Sequence, residues 1–186
     1  MSVPYRTIPR KVWASAALIA LLGAGAATMS VTDIADFEGY VPEVYADPVG
    51  IPTKCFGDTT DLDPGRVYTF DECVRSLNDH AVELMKPVMK CVPSLSSQPD
   101  GVKAAVASMV YNIGNGAFCR SSVAAKFNAG DWEGGCRRIA EIYTTAKGKV
   151  LKGLVNRRNR ESATCLSGLA SGGGSGACSL ASPSTR

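Results

Sequence analysis

The distribution of apolar positions changes character along the chain. Residues 12–31, VWASAALIALLGAGAATMSV, form one run with no charged side chain. Beyond Thr32 apolar and polar positions mix at the shorter periods of a globular domain. DIADFEGYVPEVY reads as a short helix with Thr32 or Asp33 as its N-cap. The Gly-, Pro- and Asp-rich ADPVGIPTKCFGDTTDLDPG has short β-prone pieces and predicts a small hairpin sheet. TFDECVRSLNDHAVELMKPVMKCV has helical spacing, opens with a Thr69/Glu72 capping-box pattern, and should end or kink at Pro87. SQPDGVKAAVASMVYNIG is apolar enough for a central core helix stopped near Gly114. SSVAAKFNAG and DWEGGCRRIAEIYTTA predict two shorter helices, and GLVNRRNRESATCLSG a last amphipathic one. From Ser167 the Gly/Ser-rich sequence predicts a flexible coil. No internal repeat is apparent. The expected class is α+β, with a small sheet near the N-terminus and helices elsewhere.

Three segments follow from this pattern: residues 1–31, a globular unit over 32–166, and a tail over 167–186. At about 20 residues the charge-free run can cross a bilayer as a helix. Arg6, Arg10 and Lys11 precede it, while Asp33, Asp36 and Glu38 follow, so the positive-inside rule places the N-terminus in the cytoplasm and the rest outside. Composition leaves open a cleaved signal, with Ala24-Gly25-Ala26 as an A-x-A site, and an anchor. So many small residues make any anchor only marginally held.

Charge and cysteine content narrow the function classes. With a net charge of +3 and 45% hydrophobic residues, the chain can bury one substantial core. It lacks the basic stripe or aromatic signature of a nucleic-acid binder. Seven cysteines and a single histidine, His80, with no C-x-x-C pair, argue for disulfides in an oxidising compartment rather than a zinc site. Cys55, Cys73, Cys91, Cys119, Cys136 and Cys165 lie in the globular part, and Cys178 in the tail. Six cysteines allow 15 connectivities.

The candidate chemistry sits in FEGYVPEVYADPVGIPTKCFGDT, residues 37–59. Acetal cleavage in a glycan commonly uses two carboxyl groups, one protonated and one ionised, and their environments must differ. Glu38 lies on a helix that packs Ile34, Phe37 and Val41 into a core, where desolvation favours the protonated form. Asp47 lies in a better-solvated hairpin and is suited to activate water, and the Thr53 hydroxyl can hold that water. Taken alone, Glu-Gly after a helix and Asp-Pro in a turn are also ordinary surface features.

Glu38-Gly39, Tyr45, Asp47, Gly50, Thr53 and Gly57-Asp58-Thr59 together resemble the phage-type lysozymes, glycoside hydrolase family 24. VYNIGNGAFCRSSVAAKFNAGDWEGGC and GKVLKGLVNRRNRESATCL are similar to that family's helical lobe, so the resemblance covers about Ile34 to Leu166. It implies a lysozyme-like α+β fold with a β-hairpin lobe and a mainly helical lobe. Glu38 would be the general acid, Asp47 the carboxylate activating water, and Thr53 the residue positioning that water. The implied substrate is the β-1,4 bond between N-acetylmuramic acid and N-acetylglucosamine in peptidoglycan, cleaved with inversion. No metal or organic cofactor is expected.

Arg157 aligns with an arginine that the family places near its catalytic glutamate. A guanidinium there would favour the ionised acid, so its expected role is to orient Glu38 while burial opposes its charge. Arg158 is the alternative neighbour. The chain departs from the family at YTTAKGKVLKGL, where Tyr143 stands in for a tryptophan and Lys147 for a glycine. Trp132 reads as a packing residue.

A cell-wall hydrolase behind a weakly apolar span is similar to the signal-arrest-release (SAR) endolysins of phages. This implies export by the host secretion machinery, tethering in the inner membrane with the catalytic domain in the periplasm, and release on leaving the bilayer. Seven residues separate Val31 from Glu38 and reach at most about 25 Å, so a membrane-held span keeps the catalytic helix close to the bilayer. No cysteine precedes Cys55, so a disulfide switch through the span is not available. Release with refolding is the expected activation. The resemblance implies peptidoglycan as partner and a monomer, and a Cys91–Cys119 pair is the guess for one disulfide. Competing classes are a lytic transglycosylase and a non-catalytic peptidoglycan-binding protein.

Overall fold

The computed structural model describes residues 5–47 and 50–172. The charge-free run folds as two helices rather than one. Ser15 caps α1 (Ala16–Leu22) by accepting from the Leu18 N–H, and Gly23 closes it at φ 89°. Gly23 also opens α2 (Ala24–Glu38), and the two helices meet at 115°. A residue without Cβ allows this break, because φ there is positive. Among the described residues no single helix is long and apolar enough to cross a membrane; α1 and α2 reach that length and hydropathy only as the bent pair.

The expected N-cap at Thr32 or Asp33 is therefore corrected. Thr32 lies inside α2, where its hydroxyl donates to the Thr28 carbonyl at 2.8 Å. The alanine-rich stretch before it is good helix-forming sequence, so the helix starts at the first break upstream. The expected helical reading of the whole DIADFEGYVPEVY stretch is also corrected. Gly39, at φ 72°, ends α2 directly after Glu38, and β1 (Val41–Ala46) follows. It pairs antiparallel with β2 (Pro52–Cys55) through Val41–Cys55, Tyr45–Thr53 and Ala46–Pro52, with a register shift between Val41 and Tyr45. This is the small sheet that the Gly/Pro-rich stretch predicts.

Helix α3 (Phe70–Cys91) opens with the expected Thr69/Glu72 capping box and runs through Pro87. Pro87 is exposed, and so is Glu83, the residue whose carbonyl loses its helical donor to proline. Water can satisfy that carbonyl, and the helix continues. A 3₁₀ turn over Pro93–Ser97 leads to α4 (Asp100–Ile113). This is the expected central helix, closed at Gly114, and it is buried along most of its length. Three short helices follow: α5 (Asn115–Cys119), α6 (Ser122–Asn128) and α7 (Trp132–Ile139).

A second hairpin, β3 (Thr145–Ala146) with β4 (Lys149–Val150), was not legible in the sequence. Its two-residue turn places Lys147 at φ 50° and Gly148 at φ 73°. Two positive φ values are what such a tight hairpin demands, which explains why a glycine suits the Lys147 position. Helix α8 (Lys152–Gly172) extends past the expected boundary at Ser167. Cys178 and the rest of the tail lie outside the described residues.

The core joins the N-terminal helices to the rest of the domain. Leu18, Leu22, Ala26, Ala27, Val31 and Ile34 are buried in the same apolar cluster as Val102, Val106, Met109 and Phe118. Helix α4 lies at the centre, packed by α2 on one side and α8 on another. Buried Asn78 of α3 fastens the start of α1: its side chain accepts from the Ser15 N–H at 2.8 Å and donates to the Trp13 carbonyl at 3.0 Å. At the bend, Asp100 and Lys103 of α4 form a 3.1 Å ion pair against Gly23 and Gly25. The carboxylate faces the start of α2 and the ammonium the end of α1, the sign each helix end favours.

Three disulfides tie the elements: Cys55–Cys73 joins β2 to α3, Cys91–Cys119 joins α3 to α5, and Cys136–Cys165 joins α7 to α8. The second is the pair guessed from sequence. Trp132 stacks on Phe127 with ring centroids 4.6 Å apart, in keeping with a packing role.

Candidate active site

Glu38 is the last residue of α2, where the chain turns into the hairpin. Its carboxylate meets α8: Arg157 Nη1 donates to Glu38 Oε1 at 2.7 Å. The other oxygen, Oε2, faces Gly57 so closely that a Cβ there would lie 3.1 Å from it. Gly57 also sits at φ 82°, so the backbone conformation favours glycine there and a Cβ would crowd the Glu38 carboxylate.

The docking of α2 on α8 extends beyond this pair. Phe37 lies under two guanidiniums, Arg157 at 4.8 Å and Arg160 at 5.2 Å from the ring centre. Arg160 reaches Asp33 at 2.6 Å and Asp36 at 3.1 Å. Burial raises the Asp33 carboxyl against the pull of Arg160.

Arg157 is held on three sides. Its Nη2 donates to the Ser108 carbonyl at 2.9 Å and its Nε to Glu161 Oε1 at 3.1 Å. Glu161 Oε1 also accepts from the Ser108 hydroxyl at 2.8 Å and from Arg158 Nη2 at 2.9 Å. Arg157, Arg158 and Glu161 are all buried. Of the two arginines considered from sequence, Arg157 touches Glu38, and Arg158 faces Glu161 instead.

Asp47 directly follows β1. Its N–H donates to the Ile51 carbonyl at 2.9 Å, and its Oδ1 accepts from the Ile51 N–H at 2.8 Å. This reciprocal pair fixes the carboxylate at the end of the hairpin. Thr53, 4% exposed, stands opposite Tyr45 in the ladder, and its hydroxyl donates to the Ile51 carbonyl at 3.0 Å. Its oxygen keeps lone-pair capacity for a further donor.

Tyr45 feels the charge of both carboxylates. Burial, then the fields of Tyr5, Glu38 and Asp47, push its hydroxyl up to about 12. Tyr111 supports the turn from behind, donating to the Phe56 carbonyl at 2.9 Å. Its hydroxyl is raised well above the ordinary value by burial, then by Glu38 and Asp58.

Next to this turn, Lys54 and Asp58 form a buried 2.7 Å ion pair. Burial by itself would raise the Asp58 carboxyl; hydrogen bonds from Lys54, Ser76 and Thr60 outweigh it and hold it at about 2. A cavity of about 490 Å³ opens between the hairpin and α3, lined by Lys54, Asp58, Tyr68 and His80 among others, and not by Glu38, Asp47 or Thr53.

Sequence reading missed Ser108 and Glu161. The i, i+4 spacing of Arg157 and Glu161 on one predicted helix was the available signal. Nothing local marks Ser108, which reaches the network only through the packing of α4 on α8.

The hairpin lobe, the central buried helix and the helical body around it define a lysozyme-like α+β protein, with Glu38 where the two parts meet. The Phage lysozyme family profile matches residues 35–161, and the chain belongs to that family of glycoside hydrolases. It is 36% identical over 132 residues to the SAR-endolysin of Bacteriophage PS119, covering 70% of this chain and 77% of the relative. It is 34% identical over 161 residues to the SAR-endolysin of Enterobacteria phage P21, covering 82% and 94%. The active form of the P1 phage endolysin Lyz shares the fold at a TM-score of 0.71 and 20% identity, covering 90% of this chain and 98% of that one.

Proposed function

We propose that the chain is a muramidase that hydrolyses the β-1,4 bond between N-acetylmuramic acid and N-acetylglucosamine in peptidoglycan, with inversion, and that it serves host lysis as a monomer. The observation that carries this reading is the setting of Glu38. It stands at a helix end with one oxygen engaged by Arg157 and the other facing Gly57. Glu38 Oε2 delivers its proton to the leaving glycosidic oxygen. Asp47, oriented by the Ile51 N–H, takes a proton from water as that water attacks the anomeric carbon from the opposite face. Thr53 holds the water through its hydroxyl oxygen. Arg157 then steadies the Glu38 carboxylate that remains.

We further propose that residues 1–31 act as a SAR segment, using the host secretion machinery and residing in the inner membrane until released to the periplasm. The similarity to two SAR-endolysins over 70% or more of this chain supports this. So does the burial of Leu18, Leu22, Ala26, Ala27 and Val31 in the folded domain, because those side chains exchange lipid for protein core. Once released, the segment supplies α1 and the first half of the helix that carries Glu38.

The test is digestion of purified sacculi by the whole oxidised chain and by Glu38→Gln, with mass spectra of the soluble sugars. Reducing-end muropeptides from the wild type alone are the expected result. Anhydro ends would replace hydrolysis with lytic transglycosylation. Equal release by both proteins would remove Glu38 from the mechanism.

A further inference from the structure

The cluster behind Glu38 contains a charge that the proposed hydrolysis does not use. Two arginines, Arg157 and Arg158, lie side by side on α8, 4% and 0% exposed. Only one of them is needed to contact Glu38. Glu161, 2% exposed, engages both: Arg157 Nε stands 3.1 Å from its Oε1 and Arg158 Nε 2.7 Å from its Oε2. The four groups Arg157, Arg158, Glu161 and Glu38 sum to zero charge when all are ionised.

We propose that Glu161 is a positioning residue for the hydrolysis: it holds Arg157 in place against Glu38 and offsets the second guanidinium, Arg158, so that Arg157 can orient the acid without an excess of buried positive charge fixing Glu38 as a carboxylate. The inference rests on the assignment of Glu38 as the acid, and it resolves a conflict that assignment creates. An arginine in contact with an acid favours the ionised form, which cannot give a proton. Two uncompensated guanidiniums in a poorly solvated site would strengthen that bias. Glu161 offsets one of the two from within the same helix, and Ser108 completes the support by binding Arg157 with its carbonyl and Glu161 with its hydroxyl.

The charged and titratable groups facing Glu38 come from every element packed around it. Arg157 of α8 contacts it directly, while Arg158 on the same helix, Tyr45 from β1 and Tyr111 from α4 feel its charge without touching it. Those facing Glu161 are Arg157 and Arg158 on its own helix, with the Ser108 hydroxyl from α4. Burial lowers the Arg158 guanidinium and raises the Glu161 carboxyl, each against the pull of the other. Neutralising Glu161 would leave the buried Arg158 without its carboxylate partner and Arg157 with Glu38 alone, which favours the ionised Glu161 in the folded protein.

Charge bookkeeping gives opposite expectations for two substitutions. Glu161→Gln leaves an extra positive charge near Glu38, and Arg158→Met leaves an extra negative one. The experiment measures kcat/KM on sacculi from pH 4 to 9 with the whole oxidised chain, whose basic limb reports the acid of the free enzyme. For Glu161→Gln the limb should move down by about one pH unit, an approximately tenfold loss at the upper end of the profile. For Arg158→Met it should move up, and Arg158→Met/Glu161→Gln should return close to wild type. A role confined to stability would lower the rate evenly across pH and leave every limb in place.

Arg158→Met exchanges a buried cation for an apolar side chain of similar length, so it tests the proposal even if Glu161→Gln fails to fold. Glu38→Gln is run alongside. If it is inactive and the Arg158→Met limb coincides with wild type, the role of Glu161 is overturned and Glu38 stands. If Glu38→Gln keeps full activity, the acid assignment falls and this inference falls with it.

Discussion

Leu18 and Ile19 are neighbours in the apolar segment, and membrane insertion treats them alike. Each contributes about −0.3 to −0.6 kcal/mol at the centre of a spanning helix. The folded domain treats them differently, since Leu18 is 0% exposed and Ile19 is 38% exposed. Leu18→Ala removes a side chain enclosed by the core and leaves a cavity, at a cost of about 2–5 kcal/mol. Ile19→Ala removes a side chain that already meets solvent, and should cost roughly 1 kcal/mol or less. The assay is urea unfolding of the released, fully oxidised chain, where intact disulfides allow two-state treatment. With a slope of about 2 kcal/mol per molar urea, Leu18→Ala should lower the midpoint by roughly 1–2.5 M and Ile19→Ala by less than about 0.5 M. Equal midpoints would refute the docking of α1 in the core. The segment would then be a carrier that plays no part in the finished enzyme.

Three further outcomes follow from the same geometry. Gly57→Ala introduces a Cβ beside Glu38 Oε2 at a positive φ, and should reduce sacculus clearing by about tenfold or more through displacement of the acid; an unchanged rate would contradict the placement of Oε2. Asp58 is held at about 2, below its ordinary value, so its stabilisation is complete above about pH 5 and is lost as pH falls through about 4 towards 2. It amounts to ~2 kcal/mol, and Asp58→Asn should flatten the acid limb of stability in urea titrations from pH 6 to 2; an acid limb as steep as wild type would contradict it. Opening Cys136–Cys165, which closes a separation of 29 residues, by replacing both with serine should cost about 3–4 kcal/mol on the chain-entropy account. Thermal unfolding with the other two disulfides intact checks this, and a change of under about 1 kcal/mol would contradict it.

Much of the helical body was legible because local signals and tertiary demands agree there. The Thr69/Glu72 box starts α3 as read, and Gly114 stops α4 as read. Where they disagree, local rules fail for identifiable reasons. Pro87 does not end α3 because it is on the solvent side, where an undonated carbonyl can find water. Thr32 and Asp33 have N-cap chemistry, yet the helix had already begun at Ala24.

The N-terminal segment was the hardest to read, because a run of alanine, glycine and leucine satisfies a bilayer and a protein core equally well. Only Gly23 marks where it bends, and neither its φ nor the Asp100–Lys103 pair that meets the bend is visible in the sequence. At the site, Glu38 and Arg157 stand 119 positions apart, and family resemblance brought them together before the fold did. Glu161 carried no such signal. Its part in the site depends on packing that brings side chains from α2, α4 and α8 together.

The central claim is that the segment before Thr32 becomes part of the working enzyme. It is tested most directly by the rate at which reducing-end muropeptides leave purified sacculi, comparing the whole chain with a shortened chain that begins at Thr32. The cut falls inside α2 and removes Leu18, Leu22, Ala26, Ala27 and Val31 from the core. The account predicts release by the whole chain and, from the shortened chain at equal concentration, a loss of at least about a hundredfold, the scale of misplacing a catalytic group. Equal rates from the two would contradict it.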